Sequence, residues 1–128
     1  MKKIEATIPP YKLEEVRDAL VGLGLEGMSV CEVRSFDPEA RPCWYRGSEY
    51  VRWFAPLVRM EVVVPSGQVA ECVDVIQRSA QTDDVNGCHV VVLPVEDAIR
   101  IRTGERLARE ARTVRTRYPS HLRVAARA

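Results

Sequence analysis

Residues 37–53, DPEARPCWYRGSEYVRW, lie between two apolar runs that look like strands, MSVCEV at 28–33 and LVRMEVVV at 57–64. A tight hairpin between two strands needs only about two to five residues. This connection is far longer, and its two prolines and its glycine predict that it continues neither ladder. A long loop that a compact domain does not need is usually functional or disordered. The fold is therefore organised around a large insertion between neighbouring strands.

The insertion is rich in aromatic and arginine side chains, which are enriched where proteins bind partners. Its members of these two types are Trp44, Tyr45, Tyr50, Trp53, Arg41, Arg46 and Arg52. This composition favours a partner-binding loop. The alternative is a floppy insertion whose aromatic side chains fold back on the sheet.

The flanking sequence alternates between strand and helix patterns. Strand segments are predicted at 2–8, 28–36, 57–64 and 89–95, and helices at 12–24 and about 68–80. Gly24 is the expected end of the first helix, and Ser66 is the candidate cap of the second. Residues 99–103 could add a short fifth strand.

The order of these elements predicts an α+β fold of the ferredoxin-like type. It is a βαββαβ antiparallel sheet with two helices on one face. Two helices cover only one face, so the other is either solvated or buried in an oligomer. Because this fold supports many functions, it does not identify one.

Composition indicates an ordinary intracellular domain. The 128 residues, 46% hydrophobic and 29% charged, suit one domain with a single core. No apolar run reaches the roughly 20 residues of a membrane span, and no signal peptide is evident, so we expect a cytoplasmic protein without membrane insertion. The four scattered cysteines are expected to be free thiols, and the pair Cys88–His89 is a weak metal signal.

The net charge of +1 conceals an asymmetry. Residues 1–105 contain 12 Lys and Arg against 17 Asp and Glu, whereas residues 106–128 contain seven arginines and one glutamate. Arg106, Arg109 and Arg112 share one face if the segment is helical. The basic extension is read as solvated or disordered, with an acidic partner or nucleic acid as the alternative.

Five segments resemble the PII nitrogen-regulatory signalling proteins. They are MKKIEA at 1–6, PYKLEEVRDAL at 10–20, GMSV at 27–30, YRGSEY at 45–50 and RIRTGE at 100–105. YRGSEY matches the family's loop signature at every position, and the resemblance covers about 1–105 as one domain. It implies a homotrimer whose long T-loops, here about 37–53, contact target proteins, with an adenine nucleotide bound in the clefts between subunits.

The resemblance also implies which residues bind the nucleotide. The adenine would lie near Met28, Ser29 and Val63, and Gly87 and His89 would stand in the phosphate-binding turn. Arg100 and Arg102 are expected to clamp phosphate. If 99–103 is a strand, both guanidinium groups point the same way.

Several residues that bind the ligand in the family are replaced in this sequence. The family's Gly-Asp-Gly-Lys turn is replaced by Asn86, Gly87, Cys88 and His89, and Asp83 and Asp84 replace a Gly-Lys pair. Two added carboxylates and one lost lysine should weaken a polyphosphate site. A protonated His89 could partly replace the lysine, since the ordinary pKa of histidine is roughly 6.5.

Two further departures affect the loop base. Glu39 takes the place of a glutamine that helps hold Mg²⁺ and 2-oxoglutarate in the family, and Leu57 takes the place of a lysine that meets 2-oxoglutarate. These changes argue against sensing of Mg-ATP with 2-oxoglutarate. The expected ligand is an adenine nucleotide, ADP, AMP or ATP, and ADP, AMP or another small effector fits better than Mg-ATP with 2-oxoglutarate.

The sequence therefore predicts a non-catalytic, PII-like regulator of a transporter or metabolic enzyme, in nitrogen regulation by family default. One alternative is a paralogue in carbon or metal transport. Another is a small phosphate-hydrolysing enzyme, which the turn PPYKL disfavours because it lacks glycine and arginine. A nucleic-acid binder is disfavoured because the strands at 2–8 and 57–64 lack aromatic residues for base stacking.

Tyr45, Arg46 and Tyr50 are the candidate partner-contact residues of the loop. Tyr50 also stands at the position where the tyrosine of some family members is modified with a nucleotide. The neighbouring tryptophans and prolines could stiffen the loop, so partner contact is the preferred role for Tyr50.

Overall fold

The computed structural model describes residues 1–25, 27–83 and 85–107. The four main strands and the two helices that were predicted are present, together with two additional strands inside the long loop. In chain order they are β1 Lys2–Ile8, α1 Leu13–Gly22, β2 Ser29–Phe36, β3 Pro42–Tyr45, β4 Ser48–Val51, β5 Phe54–Val64, α2 Val69–Ala80 and β6 His89–Pro94.

The main sheet has four antiparallel strands in the order β2-β5-β1-β6. Alternate residues of β1 and β5 point towards the two helices and are almost fully buried, as Ile4, Ala6 and Met60 are. They pack with α1 and α2 through Val16, Leu20, Cys72 and Ile76. The ferredoxin-like prediction is confirmed. Every second residue of the strands and one side of each helix carry apolar side chains, and these pack together in a single layer between sheet and helices.

The ends of the helices agree with prediction at one point and differ at another. Gly24 adopts φ +88° just beyond α1 and its amide donates to the Val21 carbonyl at 2.9 Å, so it ends this helix as expected. Ser66 does not cap α2, because a 3₁₀ turn, Ser66–Gln68, separates it from the helix. Its Oγ instead accepts a hydrogen bond from the Met1 ammonium group at 2.9 Å.

The T-loop, residues 37–53, contains its own two-stranded ladder, which the sequence analysis did not predict. β3 pairs with β4 in a sheet separate from the main one. The turn between them is Arg46-Gly47, with φ +53° and +79°, as a two-residue type I′ hairpin requires. Pro42 is tolerated because it is the first residue of β3, where a missing N–H interrupts nothing.

The expected fifth strand at 99–103 is wrong. Ile99 makes a single bridge with Arg106, and the chain between them turns. Gly104, at φ +73°, donates its amide to the Arg100 carbonyl at 2.7 Å, and the Arg100 amide donates to the Glu105 carbonyl at 2.8 Å. Strand alternation therefore gives no reason for Arg100 and Arg102 to point the same way.

Candidate functional site

The base of the T-loop is closed by Asp37. Its amide donates to the Trp53 carbonyl at 2.8 Å, which joins the two ends of the loop. Its carboxylate accepts the Glu39 amide at 3.0 Å, and its carbonyl accepts the Ala40 amide at 3.2 Å. An Asp that bonds the backbone two residues ahead favours a tight turn, so the loop leaves the sheet through a fixed corner.

The T-loop exposes aromatic surface along its length. Trp44 is 73% exposed on the hairpin, and Tyr50 is 42% exposed. At the base, Phe36 stacks on Trp53 with ring centroids 6.3 Å apart and lies 5.8 Å from the ring of Phe54. All three of these rings remain more than half exposed, so the base of the loop forms one aromatic surface that is available for contact.

Phe36 and Phe54 are members of this surface that sequence reasoning missed. They lie directly opposite each other because β2 and β5 pair in that register. β5 extends further towards the loop than the apolar pattern of 57–64 indicated, since it already begins at Phe54. The signal in the sequence was the aromatic residue immediately outside each end of the insertion.

The hairpin tip carries the three candidate partner-contact residues. Tyr45 lies opposite Ser48, Arg46 is in the turn, and Tyr50 lies opposite Cys43. The side chain of Tyr45 lies outside the described part of the structure. Alternation along β4 places Tyr50 and Glu49 on opposite faces of the hairpin, so Tyr50 and Trp44, which pairs with Glu49, also point to opposite sides.

The face of the main sheet turned away from the helices, here called the open face, carries a compact charged group. Lys3 Nζ lies 3.1 Å from a carboxylate oxygen of Glu5 and 3.4 Å from one of Glu61. The two glutamates are direct cross-strand neighbours, so the lysine offsets a like-charge repulsion. The hydrogen bond with Glu5, aided by that with Glu61, raises the pKa of Lys3 above its ordinary value of 10.5, against an opposing effect of burial.

The next row of the open face centres on Arg59. It lies between Cys31 of β2 and Thr7 of β1, and Thr7 faces His89 of β6. Arg59 Nη2 lies 4.0 Å from the Cys31 Sγ, while its buried Nε has no hydrogen-bond partner among the described residues. A buried donor without a hydrogen-bond partner lowers stability. Arg59 Nε is therefore suited to donate to an acceptor on a bound group.

The residues expected to contact adenine fall on both sides of the sheet. Ser29 opens β2 opposite Glu61, and Val63 of β5 is 39% exposed opposite Lys3, so both belong to the open face. Met28 packs instead against the buried core. The structure therefore brings Ser29 and Val63 to one surface and leaves Met28 behind it.

Residues 85–88, here called the 85–88 loop, pack onto the open face beside the T-loop base. Gly87 adopts φ +88°, and a Cβ on it would lie 3.5 Å from the Ser35 Cβ and 3.7 Å from Leu57 Cδ1. Leu57 is only 2% exposed. A glycine is therefore favoured here by its backbone angle, while the sheet itself leaves room for a Cβ at van der Waals distance.

Side chains of the same loop face outwards or fold locally. Asn86 Nδ2 donates to Glu39 Oε2 at 3.3 Å, which links this loop to the T-loop. His89 Nδ1 lies 3.0 Å from the Gly87 carbonyl. A carbonyl only accepts, so Nδ1 carries the proton and Nε2 is left for another partner. Burial raises the pKa of the Cys88 thiol, which keeps it neutral.

The segment after β6 folds back on itself through short-range contacts. Arg106 forms an ion pair with Asp97, and the Leu107 amide donates to the Ala98 carbonyl at 2.9 Å. Arg102 is exposed in the turn. Of the basic extension, Arg109 and Arg112 lie outside the described residues.

Within residues 1–25, 27–83 and 85–107, no group of three or more His, Cys, Asp or Glu side chains is arranged to hold a metal ion. In the same ranges, no helix is both long enough and apolar enough to cross a membrane. Cys31, Cys72 and Cys88 are free thiols.

Known proteins identify the family. A family model described as nitrogen regulatory protein P-II matches residues 1–105. The nitrogen regulatory protein P-II of Haemophilus influenzae is 47% identical to this chain over 106 residues, which are 82% of this chain and 95% of the relative. The nitrogen regulatory protein P-II 1 of Escherichia coli K12 has the same identity and coverage. This chain belongs to the PII family of nitrogen regulatory signalling proteins.

Proposed function

We propose that this protein is a non-catalytic, homotrimeric regulator that binds an adenine nucleotide between subunits and controls a target protein through its T-loop. The observation that carries this function is the T-loop itself. It is a hairpin with its own ladder and a type I′ tip, and it exposes Trp44 and Tyr50 well outside the core. A hairpin with exposed aromatic residues suits docking into a pocket on a partner.

The open face supports the trimer. Val63, Val91 and Leu93 are 36–39% exposed on this face, around the charged group of Lys3, Glu5 and Glu61. These three side chains lie close together on one face of the sheet, and exposed apolar patches commonly mark interfaces. Two further copies of the chain would cover this face and would supply acceptors for the unsatisfied Arg59 Nε.

The 85–88 loop supports nucleotide binding at the edge of the open face. Its glycine allows close approach of the backbone, and the adjacent His89 directs Nε2 away from the loop. Ser29 and Val63 lie on the same open face, where a base could rest against the sheet. Arg100 and Arg102, from the turn of a neighbouring subunit, would complete the site by binding phosphate.

The same geometry favours a nucleotide with few phosphates. Leu57 is buried beneath Gly87 and offers no charge. Glu39 brings a carboxylate to the 85–88 loop, where it would repel a polyphosphate. We therefore propose ADP or AMP as the effector rather than Mg-ATP with 2-oxoglutarate, and nitrogen or carbon metabolism as the process regulated, in the cytoplasm.

The regulatory role, as opposed to catalysis, is supported by the relatives, which are named as regulatory proteins. A phosphate-hydrolysing enzyme would need an anion-binding turn between β1 and α1. That turn is the 3₁₀ segment Pro10–Lys12, which follows Pro9 and contains no glycine.

Calorimetry on the full-length protein tests the nucleotide assignment. Titrations with ADP, AMP, ATP and Mg-ATP plus 2-oxoglutarate should show saturable binding of ADP or AMP, with no gain from 2-oxoglutarate. Replacing Arg100 and Arg102 together by alanine should weaken binding, since each charge-assisted contact is worth about 1.5–3 kcal/mol. Cooperative binding of Mg-ATP with 2-oxoglutarate would overturn the choice of effector, and unchanged affinity in the double variant would overturn the clamp.

A pull-down tests the T-loop with Tyr50→Phe and Tyr50→Ala. Loss of the native target only in the alanine variant supports aromatic packing, and loss in both variants indicates a role for the hydroxyl group. Retention in both variants removes Tyr50 from the interface.

A further inference from the structure

The T-loop base and the 85–88 loop touch at two places, although they are separated by more than 30 residues of sequence. One contact is polar: Asn86 Nδ2 donates to Glu39 Oε2 at 3.3 Å. The other is a close approach: a Cβ on Gly87 would be at van der Waals distance from Ser35 and Leu57, which lie on the two strands that flank the T-loop. The position of the 85–88 loop is therefore tied to both ends of the T-loop.

The polar contact is the one that a ligand can change. Both side chains are exposed, so water competes for the hydrogen bond and the bond contributes little to stability. A weak contact between two loops is readily exchanged for a better one. The buried contact of Gly87 with Leu57 would change much less.

Glu39 is also positioned by the corner at the T-loop base. Its amide is held by the Asp37 carboxylate at 3.0 Å, and Asp37 in turn closes the loop through the Trp53 carbonyl. A change in the contacts of the Glu39 side chain therefore affects the turn at Asp37, which joins the hairpin to the sheet. The hydrogen bonds of Asp37 are the structural link between the 85–88 loop and the direction of the T-loop.

We propose that Asn86 and Glu39 form a latch that anionic ligands open. This inference rests on the proposed binding of a nucleotide at the 85–88 loop. A phosphate group bound there takes up the Asn86 amide, which is the donor that Glu39 now uses, and its charge repels the Glu39 carboxylate. Both effects release Glu39, loosen the corner at Asp37 and change the presentation of the hairpin to its target.

The latch has two separable parts, the hydrogen bond and the charge. Asn86→Ala removes the donor and keeps the carboxylate. Glu39→Gln removes the charge and keeps an oxygen that can accept from Asn86. Glu32 is a matched control for Glu39, because it is an exposed glutamate on β2 that leads into the same loop and faces the helix side of the sheet.

Hydrogen exchange on the full-length protein tests the hydrogen bond. Without ligand, the amides of Asp37, Glu39 and Ala40 should exchange about two- to fivefold faster in Asn86→Ala than in wild type, as expected for loss of one exposed hydrogen bond. The Glu32→Ala variant should match wild type. Equal exchange of these amides in Asn86→Ala and wild type overturns the latch, whether or not any nucleotide binds.

Addition of ADP tests the coupling. In wild type, saturating ADP should raise exchange at Asp37, Glu39 and Ala40 towards the level of Asn86→Ala, and it should change that variant much less. If calorimetry shows that ADP binds while exchange at these amides stays constant in wild type, the coupling is wrong and the nucleotide site stands. If ADP and AMP both fail to bind, the proposed effector is wrong, and the ligand-free comparison alone decides the latch.

Calorimetry with ADP tests the charge. Glu39→Gln should bind ADP roughly three- to tenfold more tightly than wild type, because one nearby negative charge is removed, and Glu32→Gln should leave affinity unchanged. The gain should shrink as salt is raised, since exposed charges are screened. An affinity for ADP in Glu39→Gln that equals wild type at low salt overturns the competition between Glu39 and the ligand.

Discussion

Alternate residues of the same strands build two surfaces with opposite properties. On the helix side of the sheet, Ile4, Ala6 and Met60 are at most 1% exposed and pack with the helices. On the open face, Lys3, Glu5 and Glu61 form ion pairs beside apolar residues that remain over one-third exposed. One side of each strand therefore stabilises the single chain, whereas the other side adds little to the core and carries the surface that we propose for assembly and ligand binding.

The largest effect is expected on the helix side. Met60→Ala should lower the free energy of unfolding by about 2–5 kcal/mol, because a fully buried side chain is removed and a cavity remains. Urea denaturation at low protein concentration measures the loss. Val63→Ala, on the open face of the same strand, should cost less than about 1 kcal/mol there. Equal losses for the two variants would contradict the division between the faces.

Assembly should respond to the open face. Val91→Arg places a charged group among the half-exposed apolar residues next to Glu5, and we expect the protein concentration at half-assembly to rise at least tenfold, or about 1.4 kcal/mol. Sedimentation velocity over a dilution series measures this shift. Val92→Arg is the control, because Val92 has similar exposure on the opposite face of β6. Dissociation by Val92→Arg alone would place the interface on the helix side.

Thiol chemistry should distinguish the two faces. Cys72 lies in the core on α2 and is 1% exposed, and burial, aided by the charge of Glu71, raises the pKa of its thiol. Cys31 is exposed on the open face. In a Cys43→Ser, Cys88→Ser background that also carries Val91→Arg to expose the open face, a thiol reagent at pH 8 should modify Cys31 at least about tenfold faster than the buried Cys72, since the thiolate is the reactive form. Similar rates under native conditions would show that the core opens readily.

The smallest effect concerns the pH dependence of the open-face ion pairs. The pKa of Lys3 is raised above its ordinary value of 10.5, so the folded protein holds the proton more tightly than the unfolded chain. The resulting stabilisation is fully present below pH 10.5 and is lost as the pH rises through the raised pKa. Thermal unfolding of wild type and Lys3→Met from pH 9 to pH 12 should show a wild-type advantage that declines only above about pH 10.5. A constant difference across this range would show that Lys3 contributes through packing alone.

The two helices and the four main strands could be predicted from the sequence, because their apolar residues recur at regular helix or strand spacing. The helix predicted at 12–24 is present as α1 and buries Val16 and Leu20, and Gly24, its expected end, lies just beyond it. The same reasoning failed at Ser66. A side chain that can cap a helix was instead used by the Met1 ammonium group, 65 residues away in the chain. Long-range partners of this kind leave no local pattern.

The T-loop shows the same limit at a functional element. Its length and its aromatic residues predicted a functional insertion. The two prolines and the glycine, however, argued against strands in this segment, so the hairpin was not predicted. Those residues interrupt a ladder in the middle of a sheet, and they suit the end of an edge strand and the positive φ of a type I′ turn. The same residue types therefore have opposite meanings at different positions.

By itself, the sequence determined the order of the elements, the helix-facing core and the family, because these depend on local periodicity and on motifs such as YRGSEY. Only the tertiary structure decided which residues meet. Strand register joined Phe36 to Phe54 and set Glu5 against Glu61. Chain reversal made a turn of residues 100–104, and the packing of two distant loops placed Asn86 beside Glu39. Such contacts depend on the conformation in which the free energy of the whole chain is lowest. Strand register and loop packing are fixed together in that conformation, so no short segment of sequence specifies them.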